Sequence, residues 1–121
     1  MKVKDLHPRM PVTVAKAESL AGAAKLLAEE EIGALVVFEP GGLVGVLSER
    51  DLVRAIGDDA ELHETEVCDY MTNAPIAVDM QAPIEDAVTK MNEASVRHLV
   101  VMEDGAVCGV ISARDVLAAN G

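Results

Sequence analysis

Two short stretches hold the residues best suited to chemistry. Gly45-Val46-Leu47-Ser48-Glu49-Arg50-Asp51 returns as Gly109-Val110-Ile111-Ser112-Ala113-Arg114-Asp115. If Ser48 and Ser112 each open a helix, Ser-x-x-Asp is a capping box. The hydroxyl then satisfies a free backbone N–H, and the carboxylate sits at the positive helix end. The same geometry suits a ligand. Free N–H groups at a helix N-terminus attract phosphate, and a carboxylate three residues on can accept two hydrogen bonds from a vicinal diol such as ribose. Arg50 and Arg114 can pair with the adjacent Asp or reach an anion. Gly45 and Gly109 lack a Cβ, so a flat ring is expected to approach the strand closely there. Capping accounts for the Ser and the Asp, but it does not require the Gly or the Arg.

Nothing else in the chain competes with this motif. His7, His63 and His98 have no ligand spacing with one another or with Cys68 and Cys108, so no structural metal or cofactor is expected. There is no G-x-S-x-G elbow, no G-x-x-x-x-G-K-[ST] phosphate loop and no nucleophile–base pair, which speaks against an enzyme. Ten Lys+Arg against 21 Asp+Glu give −11 at pH 7, the wrong sign for gripping nucleic acid or anionic lipid. No apolar run reaches the ~18–20 residues of a membrane span, and Met1-Lys2-Val3-Lys4-Asp5 leads into no signal-peptide core. Two cysteines 40 residues apart, without C-x-x-C, read as reduced thiols used for packing. The expectation is a cytoplasmic protein. Aromatic residues are only 2%, so its core must be aliphatic.

The motif recurs because the chain is a tandem duplication. An offset of 64 residues aligns 3–57 with 67–121 without a gap, and 18 of the 55 pairs are identical. The densest match sets Leu35-Val36-Val37 against Leu99-Val100-Val101 and runs through Gly57/Gly121. The expected organisation is a first repeat over 1–59, an acidic connector over 60–66 and a second repeat over 67–121. A ~60-residue unit is marginal alone, so each half is expected to lay an apolar sheet face on the other about a pseudo-two-fold axis. Charge is uneven: residues 1–60 carry 7 basic and 10 acidic groups (−3), whereas 61–121 carry 3 and 11 (−8).

Period and punctuation place the elements. Val12-Thr13-Val14 and Ile76-Ala77-Val78, each just after a Pro, predict short strands. Leu20, Ala23, Ala24, Leu27 and Ala28 recur at helical spacing, and so do Ile84, Ala87, Val88 and Met91. Pro83 suits the first turn of the second of these helices. Leu35–Phe38 with Leu43–Leu47, and Leu99–Met102 with Val107–Ile111, predict hairpins around Gly41-Gly42 and Asp104-Gly105. Ser48 and Ser112 then open helices running to Ile56 and Asn120. The fold class is α+β, each repeat being strand–helix–strand–strand–helix.

With both motif copies in order, the chain resembles a tandem pair of CBS (cystathionine-β-synthase) domains over essentially its whole length. The likeness is carried by the two G-h-h-S-x-R-D stretches, the two hydrophobic triplets and Asp69-Tyr70-Met71-Thr72-Asn73-Ala74-Pro75. Val36 and Val100 stand where many relatives have Pro, and His7-Pro8-Arg9-Met10-Pro11 replaces a Met-Thr-x-x-Pro opening. The resemblance implies a regulatory sensor that binds an adenosine-containing ligand (AMP, ADP, ATP or S-adenosylmethionine) in clefts between the repeats. It would signal by a change of shape or assembly.

The resemblance also implies roles. Asp51 or Asp115 would take the ribose hydroxyls, and Ser48 or Ser112 the ribose or phosphate region. Backbone groups of Val12-Thr13 and Ile76-Ala77 would meet the adenine. Residues before the triplet would line the same cleft, and here the repeats differ: Gly33-Ala34 in the first, Arg97-His98 in the second. Arg97 and Arg114 are two of the second half's three basic residues, so the cleft around Asp115 is the better phosphate site. Pairing of Arg97 with Glu93, one helical turn back, is the competing reading. Similar pairs form homodimers, and Leu52-Val53-Ala55-Ile56 with Val116-Leu117 could supply a seam. With no catalytic, transport or DNA-binding domain attached, a separate regulated protein is expected. The rival reading is a ligand-free dimerisation or protein-interaction module in which Ser-x-x-Asp is only a cap.

Overall fold

Each hydrophobic triplet sits at the centre of a buried strand. The computed structural model describes residues 1–73 and 75–120; Ala74 of the stretch opening the second repeat, and Gly121 of the Gly57/Gly121 match, lie outside them. In the first repeat β1 (Thr13–Val14) leads through α1 (Leu20–Glu30) to β2 (Ala34–Glu39), which turns back as β3 (Gly42–Ser48) into α2 (Glu49–Gly57). A further short strand, β4 (Thr72–Asn73), follows. The second repeat gives β5 (Ala77–Asp79), α3 (Ile84–Ala94), β6 (His98–Glu103), β7 (Ala106–Ser112) and α4 (Ala113–Asn120). One sheet has the order β1-β2-β3-β4 and the other β5-β6-β7. In both, the first strand runs parallel to the second, which pairs antiparallel with the third.

Local chemistry sets the ends. Ser19 caps α1 by accepting the Gly22 N–H at 3.0 Å. Both α1 and α3 stop at a residue in the left-handed region, Glu31 and Ser95, each with φ 55°. The β6–β7 hairpin closes through Asp104 and Gly105, with φ 52° and 80°, the positive-φ pair that a two-residue turn favours. Pro83 is the N-cap of α3 rather than a first-turn residue, with ψ 150°. The N–H of Ile84 behind it donates to the Met1 carbonyl at 3.0 Å, so the helix begins where the chain's first residues meet it.

That contact belongs to a reciprocal exchange. The compact units are Val12–Pro75 on one hand, and Met1–Pro11 with the chain from Ile76 onward on the other. Each repeat's opening segment therefore packs on the body of the other repeat. Val3 and Lys4 donate backbone N–H groups to Ala82 and Met80 at 2.9 and 3.0 Å. Their repeat counterparts Val67 and Cys68 donate to Glu18 and Lys16 at 2.8 and 3.0 Å. Val3 lies fully buried among Val78, Leu99, Val101 and Ile111, and Val67 among Leu20, Leu35, Val37 and Leu47. Both cores are aliphatic, as the composition requires.

The exchange also explains two glycines. A Cβ at Gly45 would lie 2.7 Å from Met71 Sδ and 2.8 Å from the Thr72 carbonyl oxygen. One at Gly109 would lie 2.7 Å from Pro8 Cβ and 2.9 Å from the Arg9 carbonyl oxygen. The expectation that these positions leave room for a flat ring is corrected: the exchanged segment's own backbone fills that space.

Because Val3 belongs to the second repeat's core, Val3→Ala is expected to cost about 2–3 kcal/mol. Native-state hydrogen exchange should show the loss of protection in β6 and β7. Loss confined to β2 and β3 would contradict the exchange.

Candidate functional site

The strand-to-helix junction after β3 is built by reciprocal hydrogen bonds. Asp51 Oδ2 accepts the Ser48 backbone N–H at 2.8 Å and the Ser48 hydroxyl at 3.1 Å, while the Asp51 N–H reaches Ser48 Oγ at 3.3 Å. After β7 the pattern repeats, with Ser112 N–H to Asp115 Oδ2 at 2.8 Å and Asp115 N–H to Ser112 Oγ at 3.2 Å. The capping box is therefore present in both halves. One residue into each helix, a backbone N–H ties the junction to the residue before the buried strand: Glu49 to the Gly33 carbonyl at 2.9 Å, and Ala113 to Arg97 at 2.8 Å.

Register places the other candidates at the same end of each sheet. Ala34 pairs with Ser48, and Thr13 with Val36, so the beginnings of β1 and β2 flank the end of β3. The Val12 carbonyl accepts the Val36 N–H at 2.9 Å. In the other unit His98 pairs with Ser112, Ala77 with Val100, and the Ile76 carbonyl accepts from Val100 at 3.1 Å. Thus Val12, Thr13, Ala34, Ser48 and Asp51 share one sheet end, and Ile76, Ala77, His98, Ser112 and Asp115 share its counterpart. Of the backbone groups expected to meet adenine, the Val12 and Ile76 carbonyls are bonded within the sheet.

The cations divide differently. Arg50, Arg97 and Arg114 are exposed, and His98 is half-buried. Among the described residues Arg97 forms no ion pair with Glu93; α3 ends at Ala94 and the left-handed Ser95 turns the chain off the helical face first. The cation beside Asp51 is instead Arg54, whose Nη2 lies 3.5 Å from Oδ1. Arg54 also donates to the Tyr70 carbonyl at 3.0 Å and stands 5.7 Å from the centre of the Tyr70 ring. The Tyr70 hydroxyl donates to Asp58 at 2.8 Å, and that bond is the main reason its phenol titrates above the usual tyrosine range. It therefore remains a donor at neutral pH. Arg54, Asp58 and Tyr70 were missed in the sequence reading, although Asp-x-x-Arg on a helix is a legible pairing signal.

Burial separates the two carboxylates. Asp51 is 3% exposed, the one charged residue buried among those described, whereas Asp115 is half-buried. Cys68 and Cys108 are free and half-buried, and burial is the leading cause that raises both thiols above their ordinary range. Among the described residues no group of His, Cys, Asp and Glu could hold a metal ion. No described helix is long and apolar enough to cross a membrane.

Comparison with known proteins follows the same division. The sequence pattern of the CBS domain matches residues 3–58 and 67–120. The CBS domain-containing protein YhcV of Bacillus subtilis is 27% identical over 118 residues, spanning 98% of this chain and 84% of that one. Among solved structures, a CBS domain protein from Pyrobaculum aerophilum complexed with AMP superposes with a TM-score of 0.85 at 31% identity, over 95% of this chain and 89% of that one. The CBS domain pair of protein MJ0100, in complex with 5′-methylthioadenosine and S-adenosyl-L-methionine, gives 0.87 at 25% identity over 100% and 96%. With two matched copies covering nearly all of its length and both junctions built alike, the chain belongs to the CBS domain family, as a tandem pair.

Proposed function

We propose that this chain is a regulatory CBS pair that binds an adenosine-containing ligand through the Ser112–Asp115 junction and reports it by a change of shape or assembly. The observation that carries this is the Asp115 carboxylate itself. It is held in place by the Ser112 N–H at a helix N-terminus and remains partly open to solvent. Such a group can accept a ribose diol, and helix N–H groups with nearby arginines can meet phosphate. Arg114 and Arg97 are exposed, and His98 stands opposite Ser112 across the hairpin. Support also comes from two similar structures that hold AMP, or methylthioadenosine and S-adenosylmethionine. Ile76 and Ala77 contribute the strand edge. Ser48, Arg50, Asp51, Ala34, Val12 and Thr13 form the corresponding set in the first repeat. The matched family is the CBS domain, which fits a regulatory role.

Signalling requires the ligand to bind two states unequally, since only differential affinity shifts a population. A homodimer supplies such states. Val53 and Ile56 on α2 are 68% and 58% exposed, and Leu117 on α4 is 71% exposed, so part of the apolar face marked for a seam is uncovered in a single chain. Sedimentation at the mass of two chains is the expected result; the mass of one chain would contradict it.

Calorimetric titration with AMP, ADP, ATP and S-adenosylmethionine, with and without Mg²⁺, tests the ligand class. Saturable binding by at least one is expected, with Asp115→Ala weakening it about tenfold or more through loss of charge-assisted hydrogen bonds. Flat titrations with folded, nucleotide-free protein would instead favour the ligand-free interaction module.

A further inference from the structure

The two motif carboxylates share the Ser-x-Arg-Asp pattern and differ in their surroundings. Asp51 has both oxygens engaged: Oδ2 by the Ser48 N–H and hydroxyl, and Oδ1 by Arg54 at 3.5 Å. Asp115 Oδ2 accepts the Ser112 N–H. Among the described residues no cation forms an ion pair with Asp115. The reason is written in the repeat. The position that carries Arg54 in α2 carries Ala118 in α4, and the position that carries Tyr70 carries Leu6.

We infer that Arg54 is a specificity-determining residue that closes the Asp51 half to the adenosyl ligand, so that the chain binds one molecule, at Asp115. This rests on the ligand class proposed above. A ribose diol needs the carboxylate oxygens as acceptors. At Asp51 it must break an ion pair and offers only neutral donors in return, so the charge–charge attraction on the carboxylate is lost.

Exposed ion pairs are weak, but two features strengthen this one. The Asp51 side chain is 5% exposed, which limits screening. The guanidinium is also fixed at the Tyr70 carbonyl and over the Tyr70 ring, so little further order is lost in holding it at the carboxylate. At Asp115 an entering diol has no such ion pair to break among the described residues.

Titration calorimetry of the full chain with AMP and, separately, S-adenosylmethionine reads this as stoichiometry. Wild-type protein is expected to take one ligand per chain, lost in Asp115→Ala. Arg54→Ala should admit a second, with affinity at the Asp51 half raised about tenfold or more. The double variant Asp115→Ala/Arg54→Ala should regain one. Arg54→Lys, which keeps the charge, should return the count to one, a result that a merely structural role for Arg54 would not produce. Arg54→Met keeps the stem packed should the alanine variant unfold. Two ligands per wild-type chain, or one ligand per chain in folded Arg54→Ala or Arg54→Met, overturns the role of Arg54 and leaves the adenosyl reading standing. No binding of either probe by wild type or any variant overturns both.

Discussion

In each half of the chain one carboxylate, three residues past the end of a strand, accepts the backbone N–H of the serine that ends it. That bond decides where the strand stops and the helix starts. A capping residue of this kind is worth roughly 0.5–2 kcal/mol, and the negative charge is favourable at that helix end. Its larger consequence is positional. Once β3 ends at Ser48, the register puts Ala34 beside it, and the parallel β1 brings Thr13 to the same end. The second repeat obeys the same constraint with Ser112, His98 and Ala77. In the proposed function the structural cap and the diol acceptor are one carboxylate, held by the same box that ends the strand.

Much of this was legible in the residues. The triplets Leu35-Val36-Val37 and Leu99-Val100-Val101 became the central buried strands because β-branched runs bounded by turn residues have few alternatives. The helical stripes of α1 and α3 likewise emerged within a residue or two of their apolar positions. The opening segments were harder to read. Val3 and Val67 sit in short turns with no period, and hydrophobicity alone cannot say which of two similar bodies such a segment will cover. The glycine reading failed for the same reason. Gly45 and Gly109 make way for backbone that arrives from the other repeat, a neighbour invisible in a local motif.

The repeat comparison was most informative where the copies disagree. Identical residues define the scaffold: Ser48/Ser112 and Asp51/Asp115 make the same pair of backbone N–H hydrogen bonds. Unlike residues assign the work. Arg54 against Ala118 leaves one carboxylate paired and buried, the other half-buried and, among the described residues, without an ion pair. Gly33-Ala34 against Arg97-His98 adds an arginine at the same sheet end as Asp115, in the half whose net charge is −8 from 3 basic and 11 acidic residues. Both differences underlie the proposal that places the ligand at the Asp115 half. The sequence displays the second plainly, while the first emerged only when Arg54 was seen against Asp51.

A crystal structure of the protein grown with AMP is the most direct test of that asymmetry. The expected result is a ribose whose hydroxyls lie within hydrogen-bond distance of the Asp115 carboxylate, with Arg54 still paired to Asp51 and no nucleotide there. A ribose held by Asp51 with Arg54 displaced, or saturating AMP with neither carboxylate engaged, would contradict it.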